Sequence, residues 1–276
     1  MDLNPRRLLA ERGLAARKRW GQNFLLDAGA AARIAQAAVA GESALPVLEI
    51  GPGTGTLTRA LLDAGADLTA VEIDRGLVDL LRERPDLAGA RIVEGDILAY
   101  DLAGYAARSG RWAACGNLPY YITTPILFAL LECEPQPERI VVMVQREVAD
   151  RLTAQPGAPA YGSLSVVVAY RARVSRLLTL KPAAFFPRPQ VDSAVVVLER
   201  HGEPPVHPKD PERMLRLVRA AFAYRRKTLA NALELANPAV PRARTAAALA
   251  AIGKPLEARG ESLSLNDFSR LSDELA

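Results

Sequence analysis

Val47-Leu48-Glu49-Ile50-Gly51-Pro52-Gly53-Thr54-Gly55 reads as a short apolar strand running into a glycine-rich turn, and Leu57 to Ala64 then carries helical periodicity. The alternation continues along the chain: strand Leu68 to Ile73, helix Leu77 to Arg84, strand Arg91 to Glu94, strand Trp112 to Cys115, helix Pro125 to Glu132 and strand Arg139 to Val144. Strands joined through helices need crossover connections, which are right-handed and build a parallel, doubly wound sheet. In such a sheet ligands bind at the carboxyl ends of the strands. The expected fold class is therefore α/β, Rossmann-like, with a mostly parallel doubly wound sheet.

Before this core, Asn4 and Pro5 form a cap and first turn for a helix from Arg6 to Glu11. Gly21 to Leu26 reads as a loop, and Asp27 as the cap of a helix over Ala30 to Ala38. After it, Val174 to Leu180 and Ser193 to Glu199 read as two late strands, an antiparallel edge pair around a Pro-rich loop that finishes the sheet. The stretch Gly202 to Pro211, GEPPVHPKDP, is polar and Pro-rich, a linker signature. Beyond it Met214 to Tyr224, Lys227 to Leu235, Arg244 to Ile252 and Leu265 to Leu271 carry helical periodicity with no strand signal. The expected division is a domain over 1–201 with an N-terminal helical extension, a linker over 202–211 and a small helical domain over 212–276.

At 276 residues and 50% hydrophobic content, the chain can bury a substantial core. Its formal net charge is only +4, but the placement is uneven. Arg6, Arg7, Arg12, Arg17, Lys18 and Arg19 stand against Glu11 alone between Pro5 and Trp20. A second basic stretch runs from Arg171 through Arg188, Arg213, Arg216 and Arg219 to Arg225, Arg226 and Lys227. Such clustering is the electrostatic footprint of a polyanion, although an Arg-rich composition also arises from genome base composition. Cys115 and Cys133 have neither the spacing nor the His neighbours of a metal site, and one pair makes no disulfide framework. A reducing cytoplasm is expected. The start MDLNPRRLLAERGL lacks a signal-type apolar segment, and no apolar run reaches the roughly 18 residues of a membrane span.

The strand ends carry the chemistry. In the dinucleotide fingerprint a longer gap separates the second and third glycines, whereas Thr54 alone stands between Gly53 and Gly55. This spacing favours S-adenosylmethionine over a dinucleotide, with a glycine turn of purely structural use as the alternative. Glu72, about 20 residues on at the end of the second strand, is placed to take two ribose hydroxyls. Asp96, after the third strand, can accept from the adenine amine of such a donor. Each acid alone reads equally as a solvated strand end; three features in order at three successive strand ends form a donor site.

Asn117-Leu118-Pro119-Tyr120 ends the fourth strand and reads either as an Asn-Pro turn or as a pocket for an amine. The exocyclic amine of adenine is a poor nucleophile because its lone pair is delocalised. The Asn117 side-chain carbonyl and a neighbouring backbone carbonyl, which Pro119 supplies on a rigid turn, can take its two protons and leave the lone pair pointing at an electrophile. Tyr120 can stack on the base, a contact worth about 1–3 kcal/mol.

Lys18-Arg19-Trp20-Gly21-Gln22-Asn23-Phe24-Leu25, the run LEIGPGTGTLT from Leu48, Asn117 to Tyr120, MVQREVADRL from Met143, YGSLS from Tyr161 and FFPRPQVDS from Phe185 together resemble the ribosomal RNA adenine dimethyltransferase family. Within it they resemble the bacterial small-subunit branch, whose loss gives kasugamycin resistance. The likeness runs over about residues 18 to 271 and departs at Trp20 and at Ile97. It implies a class I methyltransferase fold and a cofactor site of Asn23, Leu25, Gly51, Gly53, Glu72, Asp96 and Asn117. It also assigns Phe185 to the acceptor pocket opposite Tyr120, although its residues alone read as a core or loop anchor. The implied reaction is repeated transfer of a methyl group by in-line displacement to two adjacent adenosines near the 3′ end of small-subunit RNA. The implied partner is that RNA in an assembling subunit, bound by a monomer. A large-subunit RNA adenine methyltransferase of the antibiotic-resistance type shares the pocket motifs, but YGSLS and SLSLNDFSRL resemble the small-subunit branch better. A non-catalytic assembly factor on the same fold is the alternative of another class.

Overall fold

The computed structural model describes residues 4–41, 45–224 and 226–276, so Arg225 of the second basic stretch lies outside the described residues. In chain order the strands are β1 (Phe24–Leu25), β2 (Pro46–Ile50), β3 (Asp67–Glu72), β4 (Ala90–Glu94), β5 (Ala113–Asn117), β6 (Arg139–Gln145), β7 (Ala172–Leu180), β8 (Phe185–Phe186) and β9 (Ser193–Arg200). The helices are α1 (Pro5–Glu11), α2 (Ala28–Val39), α3 (Thr56–Asp63), α4 (Arg75–Arg82), α5 (Leu102–Ser109), α6 (Thr123–Glu132), α7 (Arg146–Leu152), α8 (Ser163–Arg171), α9 (Pro211–Ala223), α10 (Leu229–Ala236), α11 (Arg242–Ala251) and α12 (Leu265–Glu274).

The expected caps form. Asn4 Oδ1 accepts from the Arg6 N–H, and Asp27 Oδ1 accepts from the Ala30 N–H at the start of α2. Seven strands lie in the order β4-β3-β2-β5-β6-β9-β7, with β2 parallel to both β3 and β5, β3 to β4, and β5 to β6. Chain order runs outward in opposite directions from β2 and from β5, so the switch point lies between these two strands. Their carboxyl ends open a crevice there.

The late strands finish the sheet as the expected edge pair, with the later of the two on the inner side. β9 inserts beside β6 in antiparallel register, Met143 opposite Val195, and β7 takes the edge. The segment Gly21 to Leu26, expected as a loop, contains β1, which pairs antiparallel with β8: Phe24 faces Phe186 and Leu25 faces Phe185. Two residues are too few to show a strand period, and the pairing comes from a segment distant in sequence.

Contacts divide the chain into two compact units, one running to Ala149 with Ser175–Arg200, the other made of Asp150–Val174 and His201–Ala276. One break falls between Arg200 and His201, next to the boundary expected at residue 201, and the departure is that Asp150–Val174 also joins the second unit, because α8 packs there. There it meets α9 and α12, the Tyr161 hydroxyl donates to Leu263 O at 2.9 Å, and the rings of Tyr161, Phe222 and Phe268 follow one another at 5.9 and 6.1 Å. In the first unit the core lies between the sheet and α2 with α3: Ala31, Ile34, Ala35 and Leu61 pack on Val47, Ala113, Cys115 and Val141. Among the described residues no helix is long and apolar enough to cross a membrane.

Candidate active site

The crevice at the ends of β2 and β5 is lined in part by short backbone turns. Gly51, Gly53 and Gly55 carry φ of 66°, 59° and 86°, left-handed values that Gly adopts without the strain of a Cβ. At Gly53 a Cβ would also stand 2.8 Å from Phe24 Cδ1, so the glycine turn and β1 touch directly. Within β5, a Cβ on Gly116 would stand 2.5 Å from Ile50 O, which is why the two strand ends approach so closely at the switch point.

Gly51 and Gly53 from this turn, Asn23 and Leu25 from β1 and its approach, Glu72 from the end of β3, Asp96 after β4, and Asn117, Leu118, Pro119 and Tyr120 from the end of β5 all line one cleft. Phe185 does not join them. Its side chain, 1% exposed, is packed among Leu25, Ala31 and Ile34 because its register opposite Leu25 turns it to the core side of the two-stranded sheet.

Hydrogen bonds show how the acids are set. Glu72 is 5% exposed and accepts from the Gly53 N–H at 3.0 Å and the Asp74 N–H at 2.9 Å, so one carboxylate holds both the glycine turn and the start of α4. Burial pushes its pKa up, and these backbone donors offset part of that. Asp74 caps α4 through the Gly76 N–H at 3.0 Å and also accepts from Gln22 Nε2 at 3.2 Å, tying the N-terminal segment to the rim of the sheet. One oxygen of Asp96 accepts from the Leu98 N–H at 3.0 Å, an Asx turn that fixes the carboxylate at the mouth.

Around Asn117 the amide is oriented by its neighbour. Nδ2 donates to Asn23 O at 2.7 Å, which turns Oδ1 away from that contact as a free acceptor. The adjacent carbonyl differs from the one the sequence favoured. Pro119 O already accepts from Thr123 Oγ1 at 2.9 Å and the Ile122 N–H at 3.2 Å, so both its acceptor positions serve the turn into α6. The Leu118 carbonyl, whose N–H donates to Met143 O, receives no hydrogen bond among the described residues. Asn117 Oδ1 and Leu118 O are thus the two open acceptors there among the described residues. The Tyr120 hydroxyl shares a 2.6 Å hydrogen bond with Ser193 Oγ, which fixes the ring, and burial raises its pKa.

Several lining residues escaped the sequence reading. Tyr121 is 54% exposed, lies against Gly21, and feels the charges of Asp96 and Glu72. Glu49 is 1% exposed with neither carboxylate oxygen in hydrogen-bond geometry. Burial pushes its pKa up to about 8, with the Thr58 hydroxyl pulling weakly the other way although it falls short of a hydrogen bond, and Glu72 adding to the rise. The signal for Glu49 was a lone carboxylate in the apolar strand Val47 to Ile50. Beside it on β5, the thiol of its register partner, the buried Cys115, is also raised by burial and by Glu49.

A buried acid hydrogen-bonded to the glycine turn, a second acid at the mouth and an oriented amide beside them fit a nucleoside donor with an amine acceptor. Comparison with known proteins agrees. A profile described as "Ribosomal RNA adenine dimethylase" matches residues 13–275. A curated relative from Pseudomonas aeruginosa, "Ribosomal RNA small subunit methyltransferase A", is 44% identical over 264 residues, 95% of this chain and 95% of that one. Among solved structures, a dimethyladenosine transferase from Plasmodium falciparum superposes with a TM-score of 0.73 at 26% identity, covering 90% of this chain and 95% of its own. The 23S rRNA methyltransferase ErmE follows with a TM-score of 0.68 at 32% identity, covering 92% and 99%. The mostly parallel sheet flanked by helices is the class I methyltransferase fold.

Proposed function

The chain belongs to the ribosomal RNA adenine dimethylase family, and on that premise we propose that it methylates the exocyclic amines of two adjacent adenosines near the 3′ end of small-subunit ribosomal RNA. The observation that carries the reading is Asn117, with Oδ1 free beside Leu118 O, sharing one cleft with Gly51, Glu72 and Asp96. S-adenosylmethionine, bound there, supplies an activated methyl group. Gly51 and Gly53 let it approach the backbone, Asn23 and Leu25 wall it in, Glu72 takes its ribose hydroxyls and Asp96 its adenine amine.

On the acceptor side, Asn117 Oδ1 and Leu118 O draw the two amine protons, so the nitrogen lone pair faces the donor side of the cleft. Tyr120, held by Ser193, stacks on the adenine and offsets part of the few kcal/mol needed to unstack it. No strong base is required, since the alkylated amine sheds its proton readily. Glu72 and Asp96 keep to binding. The helical segment over 212–276 then acts as an RNA-binding domain, with Arg216, Arg219, Arg226 and Lys227 exposed for phosphate contacts. The setting is an assembling small subunit in the cytoplasm, with the protein acting as a monomer.

Greater identity to the small-subunit relative than to ErmE, 44% against 32%, favours the small-subunit substrate over the large. The test is transfer of label from S-adenosylmethionine to unmethylated small subunits, followed by nucleoside analysis. Dimethyladenosine is expected, and Asn117→Ala should lower the rate about a hundredfold or more. Label found only in large-subunit RNA would refute the assignment, and tight subunit binding with no transfer would favour the non-catalytic assembly factor.

A further inference from the structure

Two guanidinium groups meet one indole ring at the edge of the cleft. Trp20 is half-buried, lines the cleft, and ends the single 3-10 turn Lys18–Trp20, whose closing hydrogen bond runs from the Trp20 N–H to Arg17 O at 3.0 Å. Arg17 Cζ lies 4.7 Å and Arg19 Cζ 4.4 Å from its ring centroid. A guanidinium seated on a ring gives up rotamer freedom to the stack and keeps its in-plane N–H donors directed outward.

The two cations differ in their other contacts. Arg17 Nε lies 3.4 Å from Asp74 Oδ2, and its backbone N–H donates to Gln22 Oε1 at 2.8 Å, so its charge is answered and it ties the turn to the first unit's sheet. Arg19 is exposed and meets no carboxylate at ion-pair distance among the described residues. An unanswered cation held in place is what a phosphate contact needs. A base that leaves its stack for the cleft keeps its sugar and both flanking phosphates at the mouth, where backbone contacts fix register without reading sequence.

We propose that Arg19, braced on Trp20, binds a backbone phosphate beside the adenosine that enters the cleft and so positions the strand for transfer; this rests on the function proposed above. The guanidinium is pre-organised for a phosphate, since its edge offers a bidentate fork and the ring keeps it from swinging back to the protein surface. Arg17 serves as the anchor of the turn and Arg19 as the contact.

Filter binding of unmethylated small subunits across a monovalent salt series at fixed magnesium tests this, with calorimetric titration of S-adenosylmethionine alongside. Arg19→Ala should lower the slope of log K against log salt by about 0.7, the value of one single-strand phosphate contact, with donor affinity retained. Trp20→Leu leaves both charges in place, so the slope should hold while affinity falls about two- to fivefold. An Arg19→Ala protein with wild-type slope and affinity overturns the proposal, and so does one whose loss lies in donor binding. Failure of the wild-type protein to bind or methylate small subunits would instead overturn the proposed function.

Discussion

Replacing Glu49 by Gln removes a buried acid without changing its shape, and the structure says how stability should respond to pH. The carboxyl is 1% exposed, accepts no hydrogen bond, and keeps its proton to about 8, against 4.5 for the unperturbed group. Between these values the unfolded chain has released a proton that the folded protein still holds. Unfolding therefore becomes easier as pH rises, by about 1.4 kcal/mol per pH unit. The stabilisation is complete below the unfolded pKa and is lost as pH approaches the folded one, which amounts to about 4 kcal/mol between pH 5 and pH 8. Glu49→Gln cannot titrate, and the other ionisable groups are common to both proteins. In urea denaturation the difference between wild type and variant should thus shift by about 4 kcal/mol in the variant's favour from pH 5 to pH 8. At the acid end the variant should be the less stable one, because a buried amide brings N–H groups that meet no acceptor. Parallel stability curves across this range would refute the reasoning and mean that Glu49 is ionised or hydrated in the folded protein.

Two further perturbations probe the turn on which the donor site depends. Gly53→Ala must either hold a left-handed φ of 59° with a Cβ or push Phe24 from 2.8 Å away, so calorimetric donor titration should show an affinity on the order of tenfold lower, and unchanged affinity would contradict this. Arg84 is 6% exposed, donates to Thr54 O at 2.6 Å and to Asp86 Oδ2 at 2.6 Å, and so braces the same turn from behind. Arg84→Met should cost about 2 kcal/mol in urea denaturation, since it leaves the buried Thr54 carbonyl without its donor and Asp86 with only the longer 3.4 Å contact from Arg59.

Legibility followed the range of the interactions. The strand from Val47, the glycine turn, Glu72, Asp96 and Asn117 could be read because each belongs to a local pattern at a strand end, and all of them line the cleft. The helix α8 went unread: its stretch Ser163 to Arg171 carries Val166, Val167 and Val168, residues that favour strands, and it is helical because those valines are buried in the second unit. The core packing of Phe185, which the resemblance assigns to the acceptor pocket, was hidden for a related reason. An aromatic in a Pro-rich loop can face either way, and the facing is decided by the register Leu25 opposite Phe185, which no local pattern encodes. The choice between Pro119 O and Leu118 O likewise turned on Thr123, whose hydroxyl reaches back across the turn.

The pairing of β1 with β8 also bears on how the protein is made. Residues 24 and 25 find their strand partner at residues 185 and 186, late in the chain. A nascent chain that has emerged past Asn117 already carries the glycine turn, both acids and the amide, yet Phe24 and Leu25 have nothing to pair with. The wall that Asn23 and Leu25 give the cleft is completed only when translation has passed Phe186. The enclosure of the cleft is therefore a property of chains that have passed Phe186, and a truncated product ending before that point contains the chemical groups of the site without the enclosure that makes them one.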